Sequence, residues 1–217
     1  MISEMFAHGF IQRAFIGGVL VSLCAALLGV SLVLKRYSMI GDGLSHVSFG
    51  ALSIAIAFGF APIKFSIPIV IIAAFFLLRL AENGKMKSDA AIAMVSASSL
   101  AIGVIVTSLT TGLSTDVCSY MFGSILAMSK DDVIFSVVLS VVVLIMFGFC
   151  YHRIFAVTFD ESFSKATGMK VGMYNTLISI FTAVTVVLGI KMMGAMLISS
   201  LIIFPALTSM RAFKSFL

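Results

Sequence analysis

Long apolar runs separated by short polar clusters dominate the chain, and none of them alternates with the two-residue period of a strand. Continuous apolar runs of about 20 residues predict helices that cross a bilayer, because only a helix pairs every backbone N–H and C=O within the segment. Seven such runs are present, at 11–34, 44–60, 65–80, 90–108, 133–151, 171–189 and 192–210. The expected fold is therefore all-α: a polytopic transmembrane helical bundle of about seven spans, forming one domain over residues 1–217. Small residues at close spacing, Ala25 with Gly29 and Ser96 with Ser98 and Ser99, are expected at helix–helix contacts, where they let backbones approach. Two segments break the simple alternation of span and turn. Residues 110–132 are too long for a tight turn, and their apolar part, 117–128, reads as re-entrant or interfacial. The other is the polar segment 158–168.

Composition narrows the class. Of the 217 residues 61% are hydrophobic and 11% charged, whereas soluble domains carry about 25% charged residues. A soluble enzyme, a secreted disulfide scaffold and a disordered regulator are excluded. Seven spans of about 20 residues use about 140 positions and leave about 77 for ends and loops, too few for a sizeable extramembrane domain. The net charge of +5 reads as anchoring charge on cytoplasmic loops, not as a nucleic-acid surface. Placing the turn after the first span inside puts Lys35, Arg36, Arg79, Lys85, Lys87, Arg153, Lys165, Lys170, Arg211 and Lys214 on the cytoplasmic side. Arg13, Lys64, Lys130 and Lys191 remain outside, and ten against four favours an external N-terminus with a cytoplasmic C-terminus. The first run is too long for a signal-peptide core and lacks a basic stretch before it, so it reads as a retained span. Cys24 and Cys150 lie in apolar runs and Cys118 in a polar loop, which gives no disulfide framework.

Two constellations carry chemistry. Within 38–46, Asp42 and His46 stand four apart, so on a helix they share one face, with Gly41 and Gly43 loosening the backbone beside them. A carboxylate and an imidazole suit Mn²⁺, Zn²⁺ or Fe²⁺. The competing reading is that Asp42 caps the second helix and His46 is interfacial. Within 158–168, Thr158 and Glu161 fit a capping box and Gly168 a helix stop. Phe159, Phe163 and Ala166 then form a narrow apolar stripe beside Asp160 and Lys165. Such a helix fits either a groove on a partner protein or the membrane surface. No P-loop, zinc-protease or serine-hydrolase signature occurs in the sequence.

In this order and spacing, these segments resemble the membrane permease subunit of bacterial ABC-type manganese/zinc importers. The matching stretches are 34–46 (Leu-Lys-Arg-Tyr-Ser-Met-Ile-Gly-Asp-Gly-Leu-Ser-His), 88–92 (Ser-Asp-Ala-Ala-Ile), 122–126 with Asp131 and Asp132, 159–168, and 194–206. The resemblance implies two permease copies around a translocation path, separate ATP-binding cassette ATPase subunits on the cytoplasmic side, and an external metal-binding lipoprotein or periplasmic protein. It makes Asp42 and His46 metal ligands along the path. It also makes Phe159, Asp160, Glu161, Phe163, Lys165 and Gly168 part of a coupling helix that docks on the ATPase. The ion would be cargo, Zn²⁺ or Mn²⁺ and by ligand type also Fe²⁺, with no permanently bound cofactor and no catalytic residue in this chain. The location implied is the bacterial cytoplasmic membrane. Family members continue past Pro205 and Ala206 with at least one more span, so the bundle is expected to lack the family's last span or spans. A gradient-driven secondary metal transporter and a non-transporting membrane scaffold are the alternatives from other classes.

Overall fold

The computed structural model describes residues 9–35, 37, 39–82, 88–110, 123 and 129–212. Among them every regular element is a helix: α1 (Gly9–Leu34), α2 (Ile40–Ala57), α3 (Pro62–Glu82), α4 (Ser88–Leu109), α5 (Lys130–Phe159), α6 (Glu161–Ala166), α7 (Val171–Met193) and α8 (Ala195–Ala212). Each predicted apolar run has the greater part of its length in one of the seven long helices, with 44–60 running past the end of α2 and 192–210 starting in α7 before the break at Gly194. Six of these are long and apolar enough to cross a membrane, while the apolar stretch of α3, Pro62–Leu77, is shorter. The chain is a multi-pass membrane protein. The expected re-entrant stretch 117–128 lies outside the described residues except for Gly123, as do Cys118, Arg36, Ser38, Lys85, Lys87 and Lys214.

The interior of the bundle is built by α2 and α7. Each is 72% buried along its span, against 17% for α4, which presents most of its surface outward. Helix α7 packs against α1, α2, α3, α5 and α8, and α2 against α3, α4, α7 and α8. Small residues set the closest crossings, as their spacing suggested. A Cβ on Gly29 would strike the carbonyl oxygen of Ile202 in α8, and one on Gly50 would come within 2.8 Å of the Ser99 carbonyl in α4. Gly194, at φ +87°, separates α7 from α8, and Gly189 and Ile198 touch across it. A straight helix would hold those two residues about 13 Å apart at 1.5 Å per residue, so the chain reverses sharply at Gly194.

Two of the departures of helix bounds from the apolar runs position the candidate site. Helix α5 continues beyond Tyr151 to Phe159, because Ile154 and Val157 keep its buried stripe going past the polar residues His152 and Arg153. At 30 residues it is about 45 Å long, more than the roughly 30 Å of a hydrocarbon layer, and it carries α6 clear of the spans. Helix α2 begins at Ile40, four residues ahead of its apolar run, which brings Asp42 inside the helix.

Basic residues gather at two ends of the bundle. Lys35, Arg153, Lys165 and Lys170 cluster around α6 and the start of α7. At the other end Lys191 pairs with Asp132 at 2.6 Å, and Lys64 lines the same depression as Asp131 and Asp132.

Candidate functional site

Asp42 and His46 meet as their spacing requires. They lie one turn apart on α2, with Nε2 of His46 3.8 Å from Oδ2 of Asp42, and both side chains are partly exposed, at 26% and 41%. Asp42 does not cap the helix. Met39 holds the N-cap position without a side-chain bond, and Asp42 is the third helical residue. The Asp42 backbone carbonyl accepts from Ser45 Oγ at 2.7 Å. Its other oxygen, Oδ1, accepts a long bond of 3.3 Å from Ser199 Oγ on α8.

The pair sits at some depth in the bundle. Ser199 is in the second turn of α8 after the Gly194 reversal, and Gly41 faces Ile202, whose carbonyl lies against Gly29, five residues before α1 ends. Two donors bound at about 2.1 Å to one tetrahedral ion stand about 3.4 Å apart, so a small rotamer adjustment would let both atoms reach the same cation. Among the described residues no third His, Cys, Asp or Glu joins them.

The second constellation is rearranged relative to its sequence reading. Thr158 is not an N-cap; it lies buried in the last turn of α5, and its hydroxyl has no hydrogen-bond partner. Asp160, in extended conformation, ends α5 and caps α6, accepting from the Phe163 N–H at 2.9 Å. Phe159 therefore belongs to the preceding helix. The apolar stripe is not one helix face but two rings flanking the Asp160 joint, Phe159 at 69% and Phe163 at 65% exposure. The stop at Gly168 is as expected. Its φ of +80° lets the Gly168 N–H bond to Lys165 O and the Met169 N–H to Ser164 O, closing a Schellman turn.

Glu161 does not serve a capping box either. Its Oε1 accepts from Lys35 Nζ at 2.7 Å and from Asn175 Nδ2 at 2.9 Å, while Lys165 Nζ stands 3.8 Å from Oε2. Partial burial alone would raise its pKa. Hydrogen bonds from Lys35 and Asn175, with the charges of Lys35 and Lys165, outweigh that and hold it below the ordinary glutamate value. Ser199, Lys35 and Asn175 were not singled out from the sequence. All three act across more than a dozen positions; Lys35 and Ser199 lie in the matching stretches 34–46 and 194–206, and Asn175 lies in none.

The described residues form an all-helical bundle with an Asp/His pair near the start of one apolar helix and a short helix between two long ones. A model of the ABC 3 transport family matches residues 7–217. The chain belongs to that family. It is 32% identical to the high-affinity zinc uptake system membrane protein ZnuB of Buchnera aphidicola over 90% of this chain and 75% of that protein. It is 29% identical to the manganese import system permease protein ScaB of Streptococcus gordonii, over 95% of this chain and 74% of the relative. Among solved structures, PsaBC from Streptococcus pneumoniae in complex with Fab superposes with a TM-score of 0.85 at 28% identity, covering 99% of this chain and 79% of the other. Membership in this transport family favours an ATP-driven importer over a gradient-driven carrier or an inert scaffold.

Proposed function

We propose that this ABC 3 family chain is the permease subunit of an ATP-driven importer of Zn²⁺ or Mn²⁺, with Fe²⁺ admitted by the same donor types. The observation that carries the reading is the Asp42–His46 pair, uncommitted to capping and set inside the bundle of a family whose relatives are zinc and manganese permeases. Metal arrives from an external binding protein and is held briefly by the Asp42 carboxylate and the neutral His46 imidazole. Ser199, water or a second permease copy completes the shell. ATP is hydrolysed on a separate subunit that receives α6, with Phe159 and Phe163 as apolar contacts and Asp160, Glu161, Lys165 and Gly168 fixing the helix. The end bearing Lys35 and Lys170 faces the cytoplasm and the N-terminus faces outside.

The test is radiolabelled zinc and manganese uptake in cells co-expressing the ATPase and the binding protein. Asp42→Asn keeps the size of the side chain and removes its charge, so uptake of both metals should fall to background with the protein still present in the membrane. Unchanged uptake by that variant would remove Asp42 from the path.

A further inference from the structure

Helix α6 and helix α2, which carries Asp42 and His46, are far apart in sequence, yet a residue of the short segment leading into α2 reaches α6. Lys35 follows the last residue of α1, and its side chain is only 5% exposed. Its ammonium donates to Glu161 Oε1 at 2.7 Å and to Asn175 Oδ1 at 2.6 Å, while Asn175 Nδ2 donates to the same Glu161 oxygen at 2.9 Å. The three groups close a ring that joins α6, the second turn of α7 and the end of α1. Lys165 also stands near Glu161, but it is 66% exposed and belongs to α6 itself, so it ties nothing across elements.

From Lys35 the chain reaches Asp42 through a short hydrogen-bonded elbow. The N–H of Lys35 bonds to Ser31 O, that of Tyr37 to Leu32 O, that of Ile40 to Tyr37 O and that of Gly43 to Met39 O. Among the described residues, these bonds tie Tyr37 back to α1 and Ile40 to Tyr37, so the start of α2 is held to the end of α1. The start of α2 is moreover wedged between neighbours: Gly41 faces Ile202 of α8, and Gly43 faces Ile92 of α4. A shift of the elbow therefore changes where Asp42 stands relative to Ser199 and α8.

We infer that Lys35 is a positioning residue for transport: through Glu161 and Asn175 it makes the α1–α2 elbow, and with it Asp42, move with the coupling helix. This deepens the permease reading and rests on it. Leaving the buried Lys35 ammonium without the Glu161 carboxylate is strongly disfavoured, so the tie resists being pulled open.

The experiment uses the chain assembled with its ATPase and binding protein in proteoliposomes, and reads zinc or manganese taken up per ATP hydrolysed. Lys35→Met should keep ATPase co-purification and hydrolysis while uptake per ATP falls by about 2- to 30-fold, the span of known coupling perturbations. The exchanged pair, Lys35→Glu with Glu161→Lys, should recover much of the ratio. An unchanged ratio in Lys35→Met would overturn the inference. If Lys35→Met does not assemble, the exchanged pair decides: recovery of assembly and ratio supports the link, and failure of both overturns it. Wild-type complex that takes up no metal would instead overturn the permease reading itself.

Discussion

Asp160 ends one helix and begins the next, and the direction in which α6 leaves α5 depends on it. Its backbone is extended, its N–H still bonds to Ala156 O, and its carboxylate already receives the Phe163 N–H. Asp160→Ala leaves that amide without its acceptor and should weaken α6 by about 1 kcal/mol, whereas Asp160→Asn caps nearly as well. Faster hydrogen exchange of the α6 amides in the alanine variant, absent from the asparagine variant, is the expected result; equal exchange in both would show that the cap does not hold the helix. The start signal legible in the sequence here is the capping box Thr158-x-x-Glu161, and the structure does not use it. Burial overrides it: Thr158 is drawn into the end of α5 by the packing of Ile154 and Val157, which leaves Asp160 as the first residue free to turn. Asp42 and His46 were legible because their relation is local, one helical turn. Ser199 was not, since its approach to Asp42 depends on the reversal at Gly194 and on how α8 lies against α1.

Helices α1 and α8 meet where one has no side chain to keep them apart. The Ile202 carbonyl occupies the place of a Gly29 Cβ, and Ala206 lies beside it, so the contact is backbone against backbone. Such a neighbour cannot rotate away as a flexible side chain would. Gly29→Ala should therefore push the helices apart at a cost of about 1–3 kcal/mol. Gly148→Ala, on α5 with nothing within 4 Å of the new methyl, should be neutral or stabilising by up to about 1 kcal/mol. Thermal unfolding of the two variants in detergent separates them, and equal melting temperatures would contradict the close α1–α8 crossing. The small-residue spacing at Ala25 and Gly29 signalled this face in advance, but not its partner, because any helix with an open backbone could have filled it. Helix ends were harder to read than helix centres for a related reason. Apolar runs stop where the lipid stops, while helices such as α5 continue wherever a buried stripe persists beyond it.

The molecule is electrically uneven from end to end, and this fixes how it should sit in a membrane. The sequence places ten basic residues on one side and four on the other. The structure independently gathers Lys35, Arg153, Lys165 and Lys170 around α6, and Lys64 and Lys191 with Asp132 at the opposite end. Loops rich in Lys and Arg are retained in the cytoplasm during insertion, so the α6 end should face inward. The same orientation is the one the permease reading needs, since an ATPase can reach α6 only from the cytoplasm. Lys64 and Lys170 are both exposed and lie at opposite ends, which makes them suitable reporters. In a background without Cys24, Cys118 and Cys150, Lys64→Cys should react with an impermeant maleimide added to intact cells, and Lys170→Cys only after the membrane is opened. Labelling of Lys170→Cys but not Lys64→Cys in intact cells would invert the molecule and place α6 beyond the reach of any cytoplasmic ATPase.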